Sequence, residues 1–470
     1  MSMNRRRKPL VRAAALTLTL LLARPTAAQP IDWQRTADEA LKTLSQYIRI
    51  NTQNPPGDTR QTAELLAGLL KQAGLAVTRY ESAPGKAMVL GRLPATVSPP
   101  RGKPILLLHH MDVVPADASR WPVEPYGAVI KDGMLWGRGA IDMKSLGVIH
   151  LYALLTLLRQ NVQRTRDVLF LAVPDEEAGG GLGTRWMLAH HYAELDPEYV
   201  LDEGGCGSRD LYAAGKLVYG ISVAEKKLIW LKVRADGVAG HGSQPHEQNP
   251  NDRLVRALHR LLAEPLPAGS VAIVEQLRRR LGPLAANKYA RAIEQSTIAL
   301  TTLRSGVGEP PKVNVIPSVA EATLDCRVLP GTTTAQWLGE LRRRLGDPGL
   351  QLTVTYESDD PVVTPDDTPL FRALAAAIRR ASMPMAAGSG CPPMMIVSAA
   401  ATALPNPAGP VAAWMAASMS RRSRVAAESS QSRTGSLTWA RTTELRQVPG
   451  LATSSGSNAA GSKTVSGWWP

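Results

Sequence analysis

The chain has 470 residues and a formal net charge of +14, from 54 Lys and Arg against 40 Asp and Glu. The surplus sits at the ends: residues 1–28 carry six basic side chains and no acid, and residues 381–470 carry seven basic and two acidic ones. The 352 residues between hold only +3, with no basic stripe interleaved with aromatics, which excludes nucleic-acid binding as the reason for the charge.

Taken in chain order, Arg5-Arg6-Arg7-Lys8, the apolar run Ala13–Ala23 and Thr26-Ala27-Ala28 read as a secretory signal peptide cut after Ala28, which predicts a secreted or periplasmic protein. No later segment is apolar for long enough to span a membrane. Helical spacing follows at Ala40, Leu41, Leu44 and Ile48, then at Leu65, Leu66, Leu69 and Leu70. These helices alternate with predicted strands at 87–93 and 105–108, which argues an α/β sheet domain. A helix carrying Leu146, Ile149, Leu151, Leu154, Leu155 and Leu158 is predicted next, then buried strands at 168–173 and 199–201. From about Lys216 the texture changes. Strands at 228–233, 298–303 and 320–328 and an amphipathic helix at 252–262 predict an inserted α+β unit, after which 370–378 fits a helix of the first domain. The expected division is 1–28 signal peptide, 29–215 sheet domain, 216–331 inserted unit, 332–380 sheet domain resumed, and 381–470 an aberrant, disordered tail. Cys206, Cys326 and Cys391 make no disulfide framework.

Four polar clusters fall where these strands end or a helix opens. The first is His109-His110-Met111-Asp112, in which a histidine can offer one ring nitrogen to a metal while a carboxylate two residues on holds the other N–H. The second is the glycine loop Gly137-Arg138-Gly139-Ala140-Ile141-Asp142 before the third helix. The third is Asp175-Glu176-Glu177, where adjacent glutamates can diverge, one toward metal and one toward water. The fourth is Asp202-Glu203. Alone, each is ordinary: a surface His-x-Asp pair, a helix N-cap, a solvated acidic loop. Together they occupy strand ends, where open α/β sheets place their sites.

With these residues the chain resembles the dizinc metallopeptidases and amidohydrolases that include aminoacylases, succinyl-diaminopimelate desuccinylases, acetylornithine deacetylases and glutamate carboxypeptidases. The likeness runs from about Asp32 to about Arg380 and takes in Ile50–Gly57, Gly240-His241-Gly242-Ser243 and Asp325–Gly331. It implies a mixed-sheet catalytic domain with an inserted α+β lid that also dimerises. It implies His110 and Glu203 as ligands of one zinc (Asp202 being the alternative to Glu203), Glu177 as ligand of a second, Asp142 bridging both, and Asp112 orienting His110. Glu176 would be the general base, His241 would stabilise the oxyanion, often across a dimer, and Asn314 and Arg327 would hold the substrate's carboxylate. The chemistry agrees: zinc brings the pKa of a bound water to about 7 and polarises a carbonyl, and an arginine fork reads a carboxylate through two hydrogen bonds. The expected substrate is an N-acyl amino acid, a dipeptide or a C-terminal residue.

The pattern breaks after Arg380. Residues 381–470 contain no Asp, His, Tyr or Phe, and no histidine follows His259. The resemblance calls for a Thr-Asp-x-Arg-Phe-like segment and a late histidine on the second zinc, and neither is present. Met394-Met395-Ile396-Val397-Ser398 fixes the codons ATG ATG AT, and reading from the third base of the Pro393 codon gives GAT GAT, a codon ending GT and a codon ending TC. These encode Asp, Asp and, with a free choice of first base, Arg and Phe. The pattern reads as a shift of reading frame. The chain as written is therefore expected to hold one tight zinc and to turn over poorly, with a catalytically impaired metal or peptide binder as the alternative to a working hydrolase.

Overall fold

In the computed structural model of the chain, the described residues are 30–266, 269, 271–386 and 394–397. The leader expected at 1–28, Cys391 and most of the segment 381–470 lie outside them.

The larger sheet has five strands in the order Ala76–Glu81, Ala87–Leu93, Val168–Val173, Ile105–His110, Tyr199–Leu201. Its first two pairings are antiparallel and its last two parallel, so the sheet is mixed. Every residue of Val168–Val173 is buried, as expected of a central strand covered on both faces. Alternate side chains go to opposite cores. Leu107, Phe170 and Ala172 meet Leu44, Ile48, Leu66, Leu70 and Leu154 from helices Trp33–Arg49, Arg60–Gln72 and Lys144–Arg159. Leu106, Leu108, Leu169 and Leu171 meet Met187 and Leu195 of helix Thr184–Leu195. The result is three layers, helix on sheet on helix. Ile105–His110 and Val168–Val173 run parallel with His110 opposite Val173, so the loops leaving both strands emerge side by side.

A second, antiparallel sheet has the order Thr297–Ser305, Val319–Val328, Lys227–Asp236, Gln351–Glu357. Ile229, Leu231, Val233 and Ala235 point one way along the strand, onto helices Pro250–Ala263 and Thr334–Leu345. The expected boundary at 331 falls short of the core of this smaller unit: Trp337, Leu341 and Leu345 belong to it and Gln351–Glu357 to its sheet, while Leu277 and Leu281 pack with Cys206, Tyr212 and Val218. Leu217–Ile221 lies outside the second sheet, paired with Gly207–Arg209 and, in parallel, with Met394–Val397. The signal for the added helix was present in the sequence: Thr333 and Gln336 form a reciprocal capping box at its start.

The chain rejoins the larger body through Pro369–Ala386, whose Phe371 and Ala375 pack on Ile221 and Val223. The boundary expected at 380/381 therefore falls inside a helix that continues to Ala386, and Met394–Val397 forms a strand. Cys206 and Cys326 are buried free thiols. Among the described residues no helix is long and apolar enough to cross a membrane.

Candidate metal centre

His110 closes the strand Ile105–His110 and is buried. Side-chain alternation separates it from His109, which turns into the core, its Nε2 3.2 Å from the Tyr47 hydroxyl and its ring 5.1 Å from that of Phe170. Gly147 makes that possible, because a Cβ there would stand 2.3 Å from the His109 ring. His110 faces the other way, into carboxylates. Its Nε2 lies 3.0 Å from Asp142 Oδ1, 3.7 Å from Glu203 Oε2 and 3.9 Å from Glu176 Oε2. Ligand atoms of His110, Asp142 and Glu177 all lie within 4.8 Å of one another. The structure thus gathers His110, Asp142, Glu176, Glu177 and Glu203 from four separate loops.

The other expected residues differ. The partner of His110 Nδ1 is the backbone carbonyl of Asp112 at 2.9 Å, while the Asp112 carboxylate stands 3.6 Å away. That carboxylate is committed elsewhere. Its oxygens accept the backbone N–H groups of Glu176 at 3.1 Å and Glu177 at 3.2 Å, and the Asn54 amide at 2.8 Å. Two N–H groups at a tight elbow need an acceptor, and Asp112 supplies it. Asp202 is turned onto the backbone N–H of Glu203. Arg327 lies on Val319–Val328 with its fork bonded to Asp325, at 2.8 and 3.1 Å. His241 and Asn314 are exposed at a two-stranded ribbon of the smaller unit, where Gly242 N–H donates to Asn314 O and His241 Nδ1 sits 2.7 Å from Ser243 Oγ.

Sequence reasoning passed over three cations and an amide. Lys144 is buried and donates to the carbonyls of Tyr47 and Ile50, tying the Asp142 loop to the end of the first helix. Arg138 stands 5.2 Å over the Trp121 ring and donates to Pro115 O. Asn54 and Lys86 join behind the glutamates. Asn54 lies in the opening motif Ile50–Gly57, but Lys86 has no motif around it.

The electrostatics suit a cation. Burial, then the charge of Asp142, pushes the Glu177 carboxyl up to about 7. Burial opposes protonation of His110, yet the nearby carboxylates of Asp112, Asp142 and Glu203 outweigh it and hold the imidazole well above its usual range. A ring proton thus stands where positive charge is wanted, and metal binding would displace it. One imidazole nitrogen with several carboxylate oxygens is a donor set that zinc accepts.

A histidine ringed by carboxylates at the carboxyl ends of parallel strands defines the class: a metal-dependent hydrolase on an α/β scaffold. The model of Peptidase family M20/M25/M40 matches residues 106–416, and the chain belongs to that family. The match continues past Arg380, where the resemblance in the residues fades. The chain is 29% identical over 345 residues to Aminoacylase-1A of Rattus norvegicus, covering 72% of this chain and 78% of that one. It is 31% identical over 297 residues to the N-fatty-acyl-amino acid synthase/hydrolase PM20D1 of Homo sapiens, covering 57% and 58%. The fold is that of an M20 family metallo-carboxypeptidase, Sso-CP2, from Sulfolobus solfataricus, with a TM-score of 0.58 at 20% identity over 78% of this chain and 87% of the other. Human carnosine dipeptidase 1 gives 0.56 at 18% identity, covering 79% and 87%.

Proposed function

We propose that the chain is a zinc-dependent hydrolase of an amide or peptide bond beside a free carboxylate, acting on N-acyl amino acids or dipeptides. The observation that carries this is the convergence of Asp142, Glu176 and Glu203 on His110 Nε2, with Glu177 in the same cluster. His110, Asp142, Glu177 and Glu203 would hold the metal. When bound, zinc supplies a Lewis acid that acidifies water and polarises the scissile carbonyl. Glu176 is about a third exposed, with Oε2 3.9 Å from His110 Nε2, and takes the proton of the attacking water and returns it to the leaving amine. Asp112 holds the backbone of both glutamates and fixes the direction in which Glu176 points. His241 and Asn314 stand exposed on the smaller unit and would serve substrate in a homodimer built through that unit. The leader at 1–28 supports secretion or export to a periplasm.

A specific observation favours a second reading. No histidine follows His259, and a second zinc would rest on Asp142 and Glu177 alone. Zinc sites of this kind draw on nitrogen or sulfur ligands, so the chain as written holds one tight zinc and is catalytically impaired, and a shifted reading frame after about residue 380 is the proposed cause. Zinc content after dialysis, with hydrolysis of N-acetyl-methionine and of a dipeptide, tests both readings on the full chain and on a frame-restored version. One zinc and little turnover in the first, with two zincs and turnover in the second, is the expected result. Two zincs and full turnover in the chain as written would overturn the impaired reading. No zinc in either would overturn the hydrolase.

A further inference from the structure

Behind the glutamate elbow lies a closed polar network. Asp175 ends the buried strand Val168–Val173 one residue past Pro174 and adopts a left-handed backbone, φ 72° and ψ 12°. That conformation costs a residue with a Cβ, though aspartate tolerates it better than most. It starts the turn that holds Glu176 and Glu177: the Asp175 carbonyl accepts the N–H groups of Ala178 at 3.2 Å and Gly180 at 2.7 Å. The Asp175 side chain is buried and fully engaged. Oδ2 accepts Leu182 N–H at 3.0 Å, and Oδ1 accepts Lys86 Nζ at 3.0 Å and Asn54 Nδ2 at 3.3 Å. The same Asn54 amide donates to Asp112 Oδ2 at 2.8 Å, and its own carbonyl lies 3.5 Å from Lys86 Nζ. Asp112 in turn holds the N–H groups of Glu176 and Glu177.

Two aspartates are therefore buried side by side, joined through one amide, and Lys86 forms an ion pair with Asp175 while being only 8% exposed itself. A buried carboxylate stays ionised only when paired and hydrogen-bonded. Room for the ammonium is kept by Gly57, where a Cβ would lie 2.7 Å from both Lys86 Nζ and Asn54 Cγ.

We infer that Lys86, through Asp175 and Asn54, is a positioning residue that sets the Glu176–Glu177 elbow for metal binding. The inference rests on the proposed metal centre. Lys86 touches no ligand. It bonds the Asp175 carboxylate and holds its left-handed turn in place, and the turn presents Glu177 to the His110–Asp142 pair while aiming Glu176 beside it.

The test is Co(II) titration of the full chain, followed by the cobalt visible absorption, with folding monitored by circular dichroism. Lys86→Met is expected to stay folded, to bind Co(II) about 10- to 100-fold more weakly, the usual cost of losing an outer partner of a metal ligand, and to show an altered cobalt spectrum. Lys86→Arg keeps the charge and should recover most of the affinity. Asp175→Asn should weaken binding as well. The double variant Lys86→Met/Asp175→Asn should cost no more than the larger single change, because the two act as one pair. If Lys86→Met does not fold, the comparison of Lys86→Arg with Asp175→Asn carries the same expectation. Unchanged affinity and spectrum in folded Lys86→Met or Asp175→Asn, with the wild-type chain binding Co(II), would overturn the inference alone. A wild-type chain that binds no Co(II) would overturn the metal-centre reading on which it rests.

Discussion

The two sheets of this molecule treat their polar side chains in opposite ways. At the carboxyl end of the larger sheet, each functional group is fixed by several partners: the Asp112 carboxylate alone takes three hydrogen bonds and has no exposure. On the open face of the smaller sheet the ion pairs are more exposed. Arg327 pairs with Asp325, two positions back, and Arg234 with Asp236, two positions on, and with Glu321 of the neighbouring strand. A surface pair of this kind contributes little, whereas a buried network holds geometry because breaking one member strands the others. The candidate metal centre is thus largely prearranged by the larger sheet and its loops. The residues of the smaller unit expected to meet substrate are not assembled beside it by any contact of their own.

The sharpest way to break that contrast is at the elbow. In a frame-restored chain, Glu176→Gln should retain metal and lose activity by about 100- to 10,000-fold, or ~3–5 kcal/mol, because an amide cannot take up the water's proton. Rates on N-acetyl-methionine with zinc content measured in parallel check this, and unchanged activity would move the base to another carboxylate. His110→Ala comes next. It removes the one imidazole of the cluster, so apparent zinc affinity should fall by more than the roughly 100-fold that outer partners cost. Competition with a zinc indicator reads the change. The matching change in the smaller unit, His241→Ala, should leave zinc affinity as it was, since His241 is exposed and bonded to Ser243.

The larger sheet could be read from the sequence because its signals are local and uninterrupted. Val168–Val173 and Tyr199–Leu201 were delimited by their apolar runs, and the polar residues just past them were the ones that converge. What escaped was set by long-range pairing. Gln351–Glu357 alternates Leu352, Val354 and Tyr356 with polar residues, a strand signal that went unused, and its pairing with Lys227–Asp236 is what assigns it to the smaller unit. Lys86 is 89 residues from Asp175, and nothing around it announces a buried ion pair. The Asp112 backbone carbonyl is the nearer partner of His110 Nδ1, and the elbow's two N–H groups, invisible in sequence, share the carboxylate.

A third prediction uses pH. His150 is buried in the helix behind the metal strand, and burial, only partly opposed by the backbone of Leu108, lowers its pKa to about 3. An unfolded histidine titrates near ~6.5. Below that value the unfolded chain binds a proton that the folded chain refuses, so stability contributed by neutral His150 is full above pH ~6.5 and is lost as pH falls toward about 3. The loss should run on the order of 1 kcal/mol per pH unit once below ~6. His150→Leu should flatten that part of the acid slope, read as urea midpoints at pH 7 and pH 5. Equal slopes in wild type and variant would mean that the interior admits the imidazolium.

The smallest effect is expected where a larger one was first anticipated. Arg327 was expected to read a substrate carboxylate, and Asp325 already takes its Nε and one Nη2 proton, on side chains 37% and 25% exposed. A substrate carboxylate would have to share the guanidinium with Asp325 through the Nη1 edge or displace that pair. Arg327→Lys keeps the charge and loses the fork. It should therefore shift stability by less than about 1 kcal/mol, leave zinc affinity unchanged, and alter KM equally for an N-acyl amino acid and for its amide. Asp325→Asn sharpens the case, because it weakens the intramolecular pair and leaves the fork available, so KM should then fall for the free acid and stay level for the amide. A rise in KM confined to the free acid in Arg327→Lys would show instead that Asp325 yields its partner to substrate. The smaller sheet would then contribute to the site through a pair that opens when substrate arrives, and the contrast between the two sheets would be one of the free chain only.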